Sequence, residues 1–195
     1  MQTRKQILKQ AKIIRIARKM HRLTGIVLFV FFFIVGVTSI LLGWKKDSEG
    51  YLLPETQSGS TSNLEEWLSL KELNNIAQST LRDTLNTEVI PVLDRMEIRK
   101  EDGVVKFSYK NTYDGLQLDG ATGKVLSFGT RRSDFIENLH DGSILDTIFK
   151  TESGIFKLTY TSILGTALLL FTITGFWLWY GPKRLKKSKA TKIGK

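Results

Sequence analysis

Residues 23–42 read LTGIVLFVFFFIVGVTSILL, twenty in a row without a charged side chain, and residues 158–180 read LTYTSILGTALLLFTITGFWLWY, twenty-three more. A helix rises about 1.5 Å per residue, so ~20 apolar residues cover the ~30 Å hydrocarbon core of a bilayer. A soluble domain within 195 residues has little use for two helices that are apolar all round. Each run is therefore expected to cross a membrane. The composition as a whole, 42% hydrophobic and 25% charged, looks soluble only because the apolar residues are concentrated in these two places.

Working outward from the runs, charge sets the orientation. Residues 1–22 hold eight Lys/Arg and no acid, and residues 181–195 hold seven and no acid. Residues 44–157 hold 14 basic residues against all 19 acidic ones. Basic flanks stay on the cytoplasmic side of a membrane, so both ends are expected inside and the central segment outside. This accounts for the net charge of +10 without nucleic-acid binding. The first run is too long for the ~7–15-residue core of a cleaved signal, and Leu41-Leu42-Gly43-Trp44-Lys45 has no small-residue cleavage site. It is read as an uncleaved anchor. The chain has no cysteine, which excludes disulfides, thiolate iron–sulfur ligation and a thiol nucleophile.

Residues 5–20 form a basic amphipathic pattern, with Ile7, Leu8, Ala11, Ile14 and Ala17 near one face, that lies in the inner interface or runs into the first span. Trp44 marks the outer end of that span, and Trp177, Trp179 and Tyr180 the inner end of the second. Gly25, Gly36, Gly165 and Gly175, with several Ser and Thr, allow close helix packing in lipid, or room for a flat cofactor. Residues 47–63, DSEGYLLPETQSGSTSN, have linker composition. Ser69-Leu70-Lys71-Glu72 has capping-box spacing and opens an amphipathic helix through Leu73, Ile76, Ala77, Leu81 and Leu85.

After Pro91 the period becomes two. Asp94–Arg99, the Val105–Phe107–Tyr109 stretch, the Leu116–Leu118 stretch and Val125–Phe128 read as four strands, with turns at Glu101-Asp102-Gly103 and Ala121-Thr122-Gly123-Lys124. One helix and an antiparallel meander make a small α+β domain. Ser133–Leu139 reads as a short helix ending near Gly142. The stretch from Ile144 to Phe156 is expected against the outer membrane surface, and the tail after Pro182 is expected to be disordered.

Four segments, in order, resemble the PepSY-associated transmembrane family. These are Lys19-Met20-His21-Arg22-Leu23-Thr24-Gly25, Leu118-Asp119-Gly120-Ala121-Thr122-Gly123-Lys124-Val125, Leu139-His140-Asp141-Gly142 and Thr174-Gly175-Phe176-Trp177-Leu178-Trp179. The resemblance implies a PepSY-like sheet domain carried on membrane helices. Its larger four-helix relatives are inner-membrane reductases that carry haem b and reduce ferric siderophores, whereas this chain has two spans.

The chain holds two histidines, His21 at the inner mouth of the first span and His140 outside the outer mouth of the second. Composition alone makes each an ordinary polar residue. The resemblance raises a second reading, axial ligation of haem iron by neutral imidazole. One haem cannot join the two within a monomer, because ~30 Å of hydrocarbon lies between them. A homodimer, or a partner membrane subunit, would pair each histidine with a second ligand. Arg131, Arg132 and Lys157 could then attract an anionic ferric siderophore near the outer site. Asp141 and Asp146 flank His140, but there is no serine triad, no His-Glu-x-x-His zinc motif and no dinucleotide-binding glycine motif. The competing reading is a non-enzymatic module that binds a periplasmic peptide or partner protein by β-augmentation.

The organisation expected is a basic cytoplasmic segment (1–22), a first span (23–43), a linker (44–63), a PepSY-like periplasmic domain (64–132), a membrane-proximal helical segment (133–157), a second span (158–180) and a basic cytoplasmic tail (181–195). The setting expected is the inner membrane of a bacterium, with the bilayer itself as one partner.

Overall fold

The structure, a computed structural model, describes residues 4–85, 91–110, 112–151 and 153–193, without the side chains of Arg4, Ile7, Leu185 and residues 187–193. The place of Ile7 on the expected amphipathic face thus lies outside the description. Helix α1 spans Arg4–Gly43 and helix α5 spans Ile155–Ile193, flanking a 3₁₀ turn, α2 (Leu70–Leu85), β1 (Leu93–Arg99), β2 (Val104–Tyr109), β3 (Asp114–Asp119), β4 (Val125–Thr130), α3 (Arg132–Asp141) and α4 (Ser143–Ile148). The chain divides into two compact units. Residues 1–37 and 140–195 form one, and residues 38–139 the other.

The helical unit contains the two apolar helices. Residues 8–43 and 155–184 each contain a stretch long and apolar enough to cross a membrane, and only 6% of each such stretch is buried. A core helix of a soluble protein would be covered; these are oily and bare, as lipid-facing helices are. The basic N-terminal stretch runs straight into the first span as one helix. The tail after Pro182 differs from the expectation, because α5 continues through Pro182 to Ile193. Lys, Arg and Ala are good helix formers. Gly181, just before Pro182, is a packing position: a Cβ there would lie 2.8 Å from the Ile14 side chain.

The central unit is a four-stranded antiparallel sheet in the order β1-β2-β3-β4. Met96, Phe107, Leu116 and Phe128 form one cross-strand row, as Ile98, Val105 and Leu118 do beside it. This face packs on α2 through Leu73, Ala77 and Leu81, all essentially inaccessible. The capping box closes as the spacing requires: Glu72 N–H donates to Ser69 Oγ at 3.2 Å, and Ser69 N–H donates to Glu72 Oε2 at 2.9 Å.

The second face of the sheet is polar, and on its two central strands it is buried, at Lys106, Ser108, Gln117 and Asp119. Arg95–Ser108–Gly115–Gly129 and Glu97–Lys106–Gln117–Ser127 run across it, with Asp119 beside them. What covers it is the stretch read as a linker. Gln57 N–H donates to Gln117 Oε1 (3.1 Å), Gln117 Nε2 donates to the Glu55 carbonyl (2.8 Å), and Lys106 Nζ donates to Thr56 Oγ1 (2.5 Å). Ser60 donates to Asp119 Oδ2 through both its N–H and its hydroxyl. Gly59 and Gly103 approach so closely that a Cβ on Gly59 would sit 2.1 Å from the Gly103 carbonyl oxygen. Residues 54–61 are therefore a strap, held by hydrogen bonds rather than by apolar contact.

Candidate functional site

His21 lies in the middle of α1, and its ring meets α5. The His21 and Phe171 rings stack with centroids 3.8 Å apart. Nδ1 is 3.2 Å from the Phe171 carbonyl oxygen and 3.1 Å from Thr174 Oγ1. The single hydroxyl hydrogen of Thr174 is committed to the main chain of its own helix, 2.6 Å from the Leu170 carbonyl. Both neighbours of Nδ1 are then acceptors, so Nδ1 carries the hydrogen. In the neutral ring this leaves the lone pair on Nε2.

Glycines lie at the contact, and Gly25 is the tighter of the two. A Cβ on Gly25 would lie 3.2 Å from the Phe171 ring, and one on Gly175 would lie 3.4 Å from His21 Cε1. Two of the four sequence motifs, Lys19–Gly25 and Thr174–Trp179, are thus brought together. Phe31 meets Tyr160 edge to face, and Ile14 meets Gly181, so α1 and α5 run antiparallel. The small residues of the spans were read as serving packing or a cofactor; Gly25 and Gly175 make room for aromatic and imidazole rings.

His140 is the penultimate residue of α3, in the third of the four motifs. Around it the backbone is tightly specified. Gly142 has φ +80° and carries the Tyr160 ring against it, where a Cβ would lie 2.6 Å from Tyr160 Cγ. Asp141 accepts from Ser143 N–H (2.9 Å) and pairs with Lys157 (2.5 Å). Burial opposes ionisation of Asp141, but Lys157 and Ser143 outweigh it and hold its carboxyl below the usual range. Asp146 accepts from Thr151 Oγ1 (2.6 Å), Phe156 N–H (3.2 Å) and Lys157 N–H (2.8 Å). Those amides are the orphan donors of the first turn of α5, so both aspartates have structural work as helix caps.

The two histidines are not brought together. His21 sits against residues 171–175, about four to five turns along α5 from its start at Ile155. Among the described residues no three His, Cys, Asp or Glu side chains gather in a metal-binding group. The three cations read as an outer anion-attracting set each have a partner of their own. Arg131 is bound by two nitrogens to Asp134, Arg132 donates to the Tyr51 carbonyl and lies over the Tyr51 ring, and Lys157 pairs with Asp141. Each is occupied structurally.

An axial haem ligand needs a neutral imidazole whose far nitrogen is anchored by a hydrogen bond, which fixes the tautomer and the ring plane. His21 meets that requirement through Nδ1. The sequence singled out His21 and, as the start of a motif, Thr174, but not Phe171 or the contact among the three, which depends on the antiparallel register of two helices 150 residues apart.

A pair of long, bare apolar helices joined through a small sheet domain defines a membrane protein with a PepSY-type arrangement. Residues 18–194 match the family described as PepSY-associated TM region, and the chain belongs to that family. No curated protein matches it.

Proposed function

We propose that this chain is a bacterial inner-membrane electron-transfer protein, in which a homodimer holds haem b and passes electrons across the bilayer to a periplasmic ferric siderophore. The observation that carries the reading is the grip on His21, whose Nδ1 lies within hydrogen-bond distance of Phe171 O and Thr174 Oγ1, an arrangement that would leave the lone pair on Nε2 for a metal. His140 would serve the opposite side of the membrane. Bound haem b supplies a one-electron carrier in a dry helical environment. The chain's own part is to fix the imidazole tautomer, to hold α1 and α5 together at Gly25 and Gly175, and to exclude water with Phe32 and Phe171.

The test is the absorption spectrum of the detergent-purified protein from haem-replete cells, oxidised and then dithionite-reduced. A Soret band with low-spin α and β bands is expected, diminished in His21→Ala and again in His140→Ala. Colourless protein, or spectra unchanged in both variants, would sink the reading.

One observation favours a second reading, a non-enzymatic module that binds an extended peptide or partner protein. Strand β1 is an edge strand, largely exposed, with no strand paired to its outer side among the described residues. A stoichiometric partner co-purifying with colourless protein would favour it over electron transfer.

A further inference from the structure

Lys106 is only 8% exposed, under the strap on the polar face of the sheet. Its ammonium has three N–H donors, and Thr56 Oγ1 accepts one of them. Among the described residues no carboxylate is paired with it. Glu97, directly opposite on β1, is 3.4 Å from Arg99 instead. A second cation lies close by: the Arg131 side chain runs flat over Gly115, where a Cβ would come within 2.7 Å of Arg131 Cδ. Between the two cations is a half-open recess lined by Pro54, Lys106, Gly115, Gln117 and Arg131, with a cavity of about 10 Å³. That is the size of one water or one carboxylate oxygen.

A buried, unpaired ammonium is costly, because desolvation is not repaid by a counter-charge. Burial lowers the proton affinity of Lys106, the Glu97 and Asp102 carboxylates offset only part of that, and Arg99 and Arg131 push in the same direction as burial. A sheet position of this kind would be filled more stably by an apolar residue. Arg131 already has its carboxylate in Asp134, so the charge left to repay is that of Lys106, and a small planar anion with one oxygen within the recess would do so, with Arg131 adding a favourable field at the rim. We propose that this recess binds a carboxylate, with Lys106 as its principal partner. The carboxylate comes either from a free small acid or from the C-terminus of a peptide. The site belongs to the sheet unit alone and is independent of haem at His21.

The test uses the full chain in detergent, with thermal unfolding of the sheet unit as readout. Sodium acetate is compared with sodium chloride at equal ionic strength, and a short peptide with a free C-terminus is compared with its amidated form. Acetate at saturation is expected to raise Tm by about 5 °C over chloride. The free-carboxylate peptide raising it further, and the amidated one not, identifies a chain terminus as the source; acetate alone acting identifies a free small acid. Lys106→Met is expected to abolish the shift while leaving the unliganded protein at least as stable as the wild type. Should that variant fail to fold, Arg131→Gln serves in its place, with binding weakened about tenfold. An equal response to chloride and acetate, or an undiminished shift in the substituted protein, overturns the proposal.

Discussion

Tyr109 closes the β2 end of the sheet core, 5% exposed, and its hydroxyl has no hydrogen-bond partner among the described residues. Burial pushes its ionisation up to about 12. A group whose proton is held more tightly when folded supports the fold below its unfolded value, near 10, and loses that support as pH rises toward 12. Tyr109→Phe removes an orphan hydroxyl and is expected to be neutral or stabilising by up to about 1 kcal/mol at pH 7. It should also flatten the alkaline limb of a urea-stability profile. Asp119 has the opposite sign. Burial opposes its charge, but Ser60, Thr122 and Ala121 hydrogen bonds prevail and hold its carboxyl below the usual range. That support is present above about pH 4 and lost as pH falls through the lowered value. Asp119→Ala is expected to cost about 1–3 kcal/mol in urea unfolding at neutral pH, by leaving the amides of Ala121, Thr122 and Ser60 unsatisfied. The sequence showed Asp119 as part of a turn motif; its hold on Ser60, 59 residues away, required the three-dimensional fold.

At the scale of the element, local signals were read well where they act locally. The period-two runs gave four strands, and Ser69 with Glu72 gave the start of α2. Ser69→Ala is expected to remove about 1 kcal/mol, seen as fraying of the first turn of α2 by circular dichroism or hydrogen exchange. Signals failed where the partner was distant. Residues 54–61 have the composition of a free linker because a strap held by hydrogen bonds needs no apolar pattern. The tail after Pro182 reads as disordered because the sequence does not show Ile14 packed against Gly181 as α5 passes it. Asp146 belongs here too, since it caps a helix nine residues further on. Asp146→Ala is expected to speed amide exchange at Phe156 and Lys157 by at least tenfold, with exchange in the middle of α5 unchanged. Uniform protection in the variant would contradict the cap.

On the scale of the whole molecule, the chain combines a helical unit made from its two ends with a sheet unit made from its middle. The apolar runs made the spans legible, and the expected direction rests on the division of charge alone: 15 basic residues and no acid flank them, while every acidic residue lies between them. The site at His21 was legible only as a residue, because its partners come from the other helix. The proposed outward path of electrons, with His21 on one side and His140 on the other, depends on that orientation, and the chain's lack of cysteine makes it directly measurable. Single cysteines at Lys9, Lys100 and Lys183, all exposed, can be probed with a membrane-impermeant maleimide. In intact spheroplasts the account expects labelling of Lys100→Cys alone, and in inverted vesicles of Lys9→Cys and Lys183→Cys alone; the reverse pattern, or one terminus labelled from each side, would contradict it.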